Sequence, residues 1–231
     1  MISGWQDGGM RMHQIEQAKQ VWLIDNAHKG GVSSLELSHD SKNIATGGED
    51  GIVRLWELRS LAMKTNLKEH TNKVTRVKLL NGDTKLVSSS RDKSLLYWDL
   101  IKEKRIQAFY QTMGGVNSFD VIPDQGLVIS TGQDRKISYW DLRQPTVVKC
   151  FDTDTIIKTI EECMKLRVSE SGQNFYTGGE FVKCWDLKNG KVIDQHLAHS
   201  SGCLSMDINQ KESNLITGGK DASILIWRLN K

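Results

Sequence analysis

Three times along the chain a histidine, a hydroxyl residue and an aspartate recur at one spacing: His28, Thr46 and Asp50; His70, Ser88 and Asp92; His199, Thr217 and Asp221. Those three types can make a nucleophile, in which imidazole takes the hydroxyl proton and the carboxylate holds the imidazole tautomer. An enzyme needs one such site, however, whereas this sequence builds the set repeatedly and ends each with a tryptophan 28 residues after the histidine: Trp56, Trp98 and Trp227. Indole N–H can only donate and a hydroxyl can both donate and accept, so the four residues can form a hydrogen-bonded chain that satisfies groups costly to bury alone. Repetition favours that structural role over catalysis.

The tryptophans mark a longer period. Trp56, Trp98, Trp140, Trp185 and Trp227 stand 42, 42, 45 and 42 residues apart, each closing a related stretch such as TGGEDGIVRLWEL (46–58), SSSRDKSLLYWDL (88–100) or TGGKDASILIWRL (217–229). Within a unit, short apolar runs (Val32, Leu35 and Leu37; Ile44 and Ala45; Ile52, Val53, Leu55 and Trp56) are separated by Gly, Asp, Ser and Asn. Such alternation with β-branched and aromatic residues predicts antiparallel strands, and no helical stripe survives. Pro123 and Pro145 fall at predicted turns, where a missing amide donor does little harm.

A repeat of about 40–45 residues carrying these motifs resembles the WD40 family, whose units are four-stranded propeller blades. The fold expected is therefore all-β: a WD40 β-propeller, a partial ring of about five to six four-stranded blades that is a segment of a larger propeller. The resemblance implies blades over 27–68, 69–110, 111–152 and 153–197, flanked by the end of a partial blade (1–26) and a last blade lacking its outer strand (198–231). It also implies that the His, Ser/Thr, Asp and Trp of each unit form the hydrogen-bonded chain. Two units depart from the pattern: the third has Ser130, Asp134 and Trp140 but Thr112 in the histidine position, and the fourth keeps Thr177 and Trp185 without the turn aspartate. Residues 152–162 form an insertion that replaces the usual entry of the fourth unit, and at the start of the chain Ser3 and Asp7 are in register with Thr46 and Asp50, with His13 in the tryptophan position.

The stretches GWQDGGMR (4–11), NAHKGGV (26–32), LKEH (67–70) and DRKISYW (134–140) are further similar to the second propeller of the cilia- and flagella-associated protein 52 family. That resemblance implies a non-catalytic structural role without a cofactor. It describes a microtubule inner protein of the ciliary doublet that binds tubulin and neighbouring inner-junction proteins and stabilises the axoneme, in the cytoplasm, cytoskeleton and cilium or flagellum. Partner contacts are expected at exposed turns, above all at the residue before each turn aspartate: Gln6, Glu49, Arg91, Gln133 and Lys220, together with Trp5, Met113 and the basic turn Lys102, Lys104 and Arg105. The alternatives are a generic WD40 interaction scaffold and a cullin-ligase substrate receptor, the latter suggested by Trp-Asp-x-Arg at 140–143.

Other chemistries find little support. The chain of 231 residues is long enough for one substantial core, and its net charge of +3 is too small and too diffuse to suggest nucleic-acid binding. No apolar run approaches the roughly 20 residues of a membrane span, and no phosphate-binding glycine loop or HExxH motif is present. Neither a membrane, a nucleic acid nor a small-molecule substrate is therefore expected, and the N-terminus suggests no secretion signal, so the protein is expected inside the cell. Cys150, Cys163, Cys184 and Cys203 form no CxxC pair and read as small buried hydrophobes on strands. His196 and His199 are three apart and could reach one metal, but His199 is already used by the repeated set, and Asp152 with Asp154 resembles the start of a calcium loop whose following Gly and Glu spacing is wrong.

Overall fold

The computed structural model describes residues 1–111, 113–122, 125–152, 164–209 and 213–229. Thr112, Pro123, Asp154, Cys163 and nearly all of the 152–162 insertion lie outside them. The chain divides into two compact units, Met1–Val116 and Asn117–Lys231.

In the first unit, β1 (Ile2–Gly4), β2 (Met10–Gln14) and β3 (Lys19–Ile24) form a three-stranded sheet. Two four-stranded sheets follow: β4 (Val32–Leu37), β5 (Asn43–Gly48), β6 (Val53–Glu57) and β7 (Met63–Leu67), then β8 (Val74–Leu80), β9 (Lys85–Ser90), β10 (Ser94–Asp99) and β11 (Lys104–Tyr110). The second unit contains β12 (Val116–Ile122) from its second residue on, β13 (Leu127–Gly132), β14 (Lys136–Asp141) and β15 (Val147–Asp152), then β16 (Lys165–Val168), β17 (Asn174–Gly178), β18 (Phe181–Asp186) and β19 (Val192–Leu197). It ends on the three-stranded sheet β20 (Cys203–Ile208), β21 (Asn214–Gly219) and β22 (Ile224–Arg228). Every sheet is an antiparallel meander of consecutive strands, as short turns between alternating strands require.

Each sheet buries itself against its neighbour in the same unit. Ala45, Val53 and Leu67 of the second sheet pack with Val74, Val77, Leu86 and Trp98 of the third. The approach is close enough that a Cβ on Gly47 would lie 2.4 Å from Val74 Cγ1, which is why a glycine stands there. Polar groups bridge the same seam: the Ser33 hydroxyl contacts the carbonyl of Val74, and Val77 N donates to Ser34 Oγ at 3.1 Å. Thr75 repeats Ser33 at a spacing of 42, and its hydroxyl lies 2.7 Å from Ser89 Oγ.

Two local features position the tryptophans and the turns. A register shift falls immediately before Trp56, Trp98, Trp140 and Trp185 in their pairing with the outer strand, and before His13 at the same place in the first sheet. A bulge of this kind bends the strand and re-aims one side chain. The residue after each turn aspartate adopts positive φ: Gly8, Gly51, Lys93, Arg135 and Ala222. Gly51 is the residue that best suits that backbone.

Several sequence expectations need correction. Cys150 is exposed on β15, Cys184 is half-buried, and of the described cysteines only Cys203 is buried; Cys150 lies on an outer strand, whose far side pairs with no further strand among the described residues. Lys104 and Arg105 belong to β11 rather than to a turn, and Arg105 is ion-paired with Glu69. Ile52 precedes β6 instead of lying in it.

Candidate functional site: blade networks and the turns they hold

The innermost atoms of the repeated set form a directed chain. Trp98 Nε1–H donates to Ser88 Oγ at 2.8 Å, Ser88 Oγ lies 2.8 Å from His70 Nε2, and His70 Nδ1 lies 2.9 Å from Asp92 Oδ2. Because the indole can only donate, the hydroxyl accepts from it and turns its own proton toward Nε2, leaving Nδ1–H for the carboxylate. The second sheet repeats this through Trp56, Thr46, His28 and Asp50 at 3.0, 2.7 and 2.9 Å. The sixth does so through Trp227, Thr217, His199 and Asp221 at 3.0, 2.9 and 3.1 Å. Thr46, Ser88 and Thr217 are fully buried, so these hydroxyls are engaged on both sides and offer no nucleophile to a substrate.

The two departing units keep the inner half. Trp140 donates to Ser130 and Trp185 to Thr177, each at 2.8 Å. Asp134 accepts from Lys136 N at 3.1 Å, closing its turn. In the first sheet Trp5 Nε1 donates to Ser3 Oγ at 3.0 Å, while Arg11 is ion-paired with Asp7. His13, in the tryptophan position, cannot reach that hydroxyl from a shorter side chain, and its Nδ1 is buried without a partner.

Sequence reasoning missed the groups that finish each aspartate. Ser94 donates from N and Oγ to Asp92, and Ser223 does the same for Asp221. Both stand two residues after their aspartate, a spacing that was visible in the sequence. In the second sheet Ile52 takes that place, and Arg54 instead reaches Asp50 Oδ2 at 2.9 Å and the carbonyl of Ala27 at 2.8 Å. The Ser223 hydroxyl holds the Asp221 carboxyl down at about 2. Burial pushes Asp92 up, but His70 and Ser94 outweigh it, and its carboxyl lies well below the usual range.

His28 is held below its ordinary 6.5 chiefly by burial, which Asp50 opposes and Arg54 reinforces. At Asp50, burial raises the carboxyl, and the hydrogen bonds from His28 and Arg54 more than offset it. The sign is the same for both groups. An unfolded His28 takes up a proton near pH 6.5 that the folded one resists, and an unfolded Asp50 protonates near 3.8 before the folded one does, so each contribution is lost on acidification. The thermal midpoint is expected to fall as the pH is lowered from about 7.5 to about 5. His28→Gln, followed by calorimetry over the same range, is expected to flatten that slope; an unchanged slope would place its origin elsewhere.

These networks fix the turns that carry the candidate partner residues. Glu49 N donates to Gly31 O, Arg91 N to Lys73 O and Lys220 N to Gly202 O, at 3.0, 3.0 and 3.1 Å. Backbone is thereby pinned while the side chain points outward: Gln6, Glu49, Gln133 and Lys220 are exposed and Arg91 is half-buried. Trp5 and Met113 are exposed as well, and Arg11 lies over the Trp5 ring at 4.6 Å. Glu49 is ion-paired with Lys73. His196, paired in the sequence with His199, instead stacks on Trp227 and meets Asp194 at 2.9 Å. No cluster of metal-ligating side chains occurs among the described residues.

Residues 8–140, more than half of the chain, match the family described as nucleolar protein 10-like, N-terminal domain, and residues 190–228 match the WD domain, G-beta repeat. The chain belongs to the nucleolar protein 10-like N-terminal domain family of WD-repeat β-propellers. The all-β propeller expected from the tryptophan period is thus borne out, as is the further resemblance. This propeller is 28% identical to cilia- and flagella-associated protein 52 of Homo sapiens, over 99% of the chain and 37% of that protein. The same protein from Chlamydomonas reinhardtii is 28% identical over 98% of the chain and 37% of its own length. A DDB1- and CUL4-associated factor 11 homolog of Caenorhabditis briggsae is 23% identical over 98% of the chain and 41% of its length. The propeller therefore spans well under half the length of these relatives.

Proposed function

We propose that this propeller is a non-catalytic docking platform of motile cilia, acting as an inner protein of the doublet microtubule that contacts tubulin and neighbouring inner-junction proteins. The observation that carries the reading is the match to cilia- and flagella-associated protein 52 along nearly the whole chain, from both an animal and an alga. The turn geometry supports it: four-residue networks consume the polar chemistry of the blades, and what remains for recognition is a row of variable side chains on fixed backbone. Gln6, Glu49, Arg91, Gln133 and Lys220, with Trp5 and Met113, are the contacts we assign to partners. Stabilisation of the axoneme would follow from bridging neighbours, without a cofactor.

The test is fractionation of cilia, with high-salt extraction of axonemes and quantitative mass spectrometry of this chain's peptides. Retention with the doublets supports the reading, and absence from cilia removes it. Lys220→Glu is expected to leave the thermal midpoint unchanged, since surface substitutions rarely move stability by more than about 0.5 kcal/mol, while increasing release from the doublets at moderate salt. Equal retention of the variant would exclude Lys220 as a contact.

A second reading, recruitment to a cullin ligase, is favoured by the DDB1- and CUL4-associated relative and by Trp140, Asp141 and Arg143. Arg143 folds back on Asp141 through Nε and Nη2, both at 2.8 Å, while its side chain stays 73% exposed. Release of the protein into a soluble complex containing cullin would favour this reading over the ciliary one.

A further inference from the structure

Between the fourth and fifth sheets, both in the second unit, the seam opens into a groove of about 600 Å³. Ile122 and Tyr139 are its buried wall, Leu127 and Leu187 are half-buried, and Val148, Lys149 and Lys188 form an exposed rim. The Lys149 ammonium is held from two sides: Nζ donates to Lys188 O at 3.1 Å and lies 4.5 Å from the centre of the Phe151 ring. Phe151 is itself fixed, edge-on to Tyr139 at 5.6 Å and so near the turn after β18 that a Cβ on Gly190 would come within 2.3 Å of the ring. The acidic residue of the lining, Asp186, spends its carboxylate on its own turn, accepting from Lys188 N at 2.8 Å, Asn189 N at 2.9 Å and Asn189 Nδ2 at 3.0 Å. The cationic rim is not a demand of the repeat. In the four outer strands β7, β11, β15 and β19 the position that pairs with the residue before the tryptophan is Thr65, Gln107, Lys149 and Asp194, and the cavity of about 380 Å³ at the next seam, bordered by Cys184, carries Asp194 in place of a lysine.

We propose that the groove between the fourth and fifth sheets docks an acidic peptide of a partner protein, an extended segment that lays a large apolar side chain against Leu127, Tyr139 and Leu187 and sets carboxylates on Lys149 and Lys188. Among the described residues the contacts that hold Lys149 are a carbonyl and a ring face, which orient the ammonium without neutralising its charge. An ammonium has three N–H donors, so one spent on Lys188 O leaves capacity for a carboxylate. A charge held in place before the ligand arrives also spares much of the cost of ordering a long side chain on binding. Charge complementarity at such a rim selects an anionic partner, and the apolar wall beneath it distinguishes a peptide with an anchor from a bare anion. Val148, 56% exposed beside Lys149, extends that wall to the surface. This site stands apart from the turn residues assigned to partners above and does not depend on the ciliary reading.

The probe is a fluorescein-labelled peptide, EELFEE, titrated into the full chain and followed by fluorescence anisotropy, with QQLFQQ as the control lacking charge and EESSEE as the control lacking the anchor. EELFEE is expected to bind more tightly than either by roughly fivefold or more, and its binding, unlike that of QQLFQQ, should weaken as salt is raised. Lys149→Glu and Lys188→Glu, at exposed positions where the thermal midpoint should stay near native, are each expected to weaken EELFEE binding by roughly threefold or more. Lys104→Glu, which reverses an exposed lysine of the first unit, should bind as the native chain does. No binding of EELFEE, equal binding of either control peptide, or undiminished binding to a folded Lys149→Glu protein overturns the proposal. An equal loss with Lys104→Glu also overturns it, by showing attraction to net positive charge alone. A chain that sediments as a dimer and excludes the peptide would give the groove to a second copy and overturn it as well.

Discussion

Replacing Trp98 with alanine is expected to destabilise the first unit by about 3–5 kcal/mol, the range for removing a large buried aromatic side chain. The side chain is 1% exposed and packs in the same cluster as Val53, Val74, Val77, Leu86 and Leu96, so its loss opens a void that two sheets must share. It also strips Ser88 of its donor, leaving a buried hydroxyl that can no longer accept. Trp98→Phe separates the two effects, since it keeps most of the volume and removes only the N–H. Urea denaturation should show the alanine variant well below the phenylalanine variant in midpoint. Equal losses would mean that the hydrogen bond, and not the packing, dominates.

The second large effect is expected at Asp92. Its carboxylate accepts from His70 Nδ1, Thr71 N, Ser94 N and Ser94 Oγ, and its side chain is 9% exposed. Asp92→Ala leaves these donors unanswered in a place water barely enters, at a cost of about 1–3 kcal/mol. Asp92→Asn retains one acceptor oxygen and is expected to lose less. Because the folded carboxyl lies below its ordinary 3.8, its contribution is present above that pH and disappears as the pH falls through the folded value. Native protein should therefore lose more stability in acid than Asp92→Ala, which keeps the contributions of His28, Asp50 and Asp221 but not that of Asp92. An alanine variant with native stability at neutral pH would show that the network does not hold the blade.

The contrast with catalysis rests on the same atoms. A hydroxyl, an imidazole and a carboxylate in line are the parts of a nucleophilic site, but a nucleophile must face a substrate. Here each hydroxyl is fully buried and receives an indole proton from behind. What the arrangement accomplishes is to tie the third strand, through Trp, to the loop that precedes the first strand, through His. The same carboxylate then caps the turn that presents Glu49, Arg91 or Lys220.

The sequence by itself determined the repeat, the strands and the network, because each depends on local spacing. A tryptophan every 42 residues sets the unit, and a hydroxyl ten residues before it puts both on adjacent antiparallel strands, as with Thr46 and Trp56 or Ser130 and Trp140. Even the finishing serines, Ser94 and Ser223, were legible two places after their aspartates. Only the tertiary structure decided what lies across a seam. That Arg54 takes over from a missing serine depends on a side chain long enough to reach back past His28 to Ala27. That Cys150 is exposed depends on its outer strand pairing with no further strand among the described residues, and that Cys184 borders a cavity depends on Leu215, which is 31 residues away in the chain. Periodicity fixes which face of a strand a side chain takes, but the volume left between two faces is set by residues from both, and no single repeat contains them.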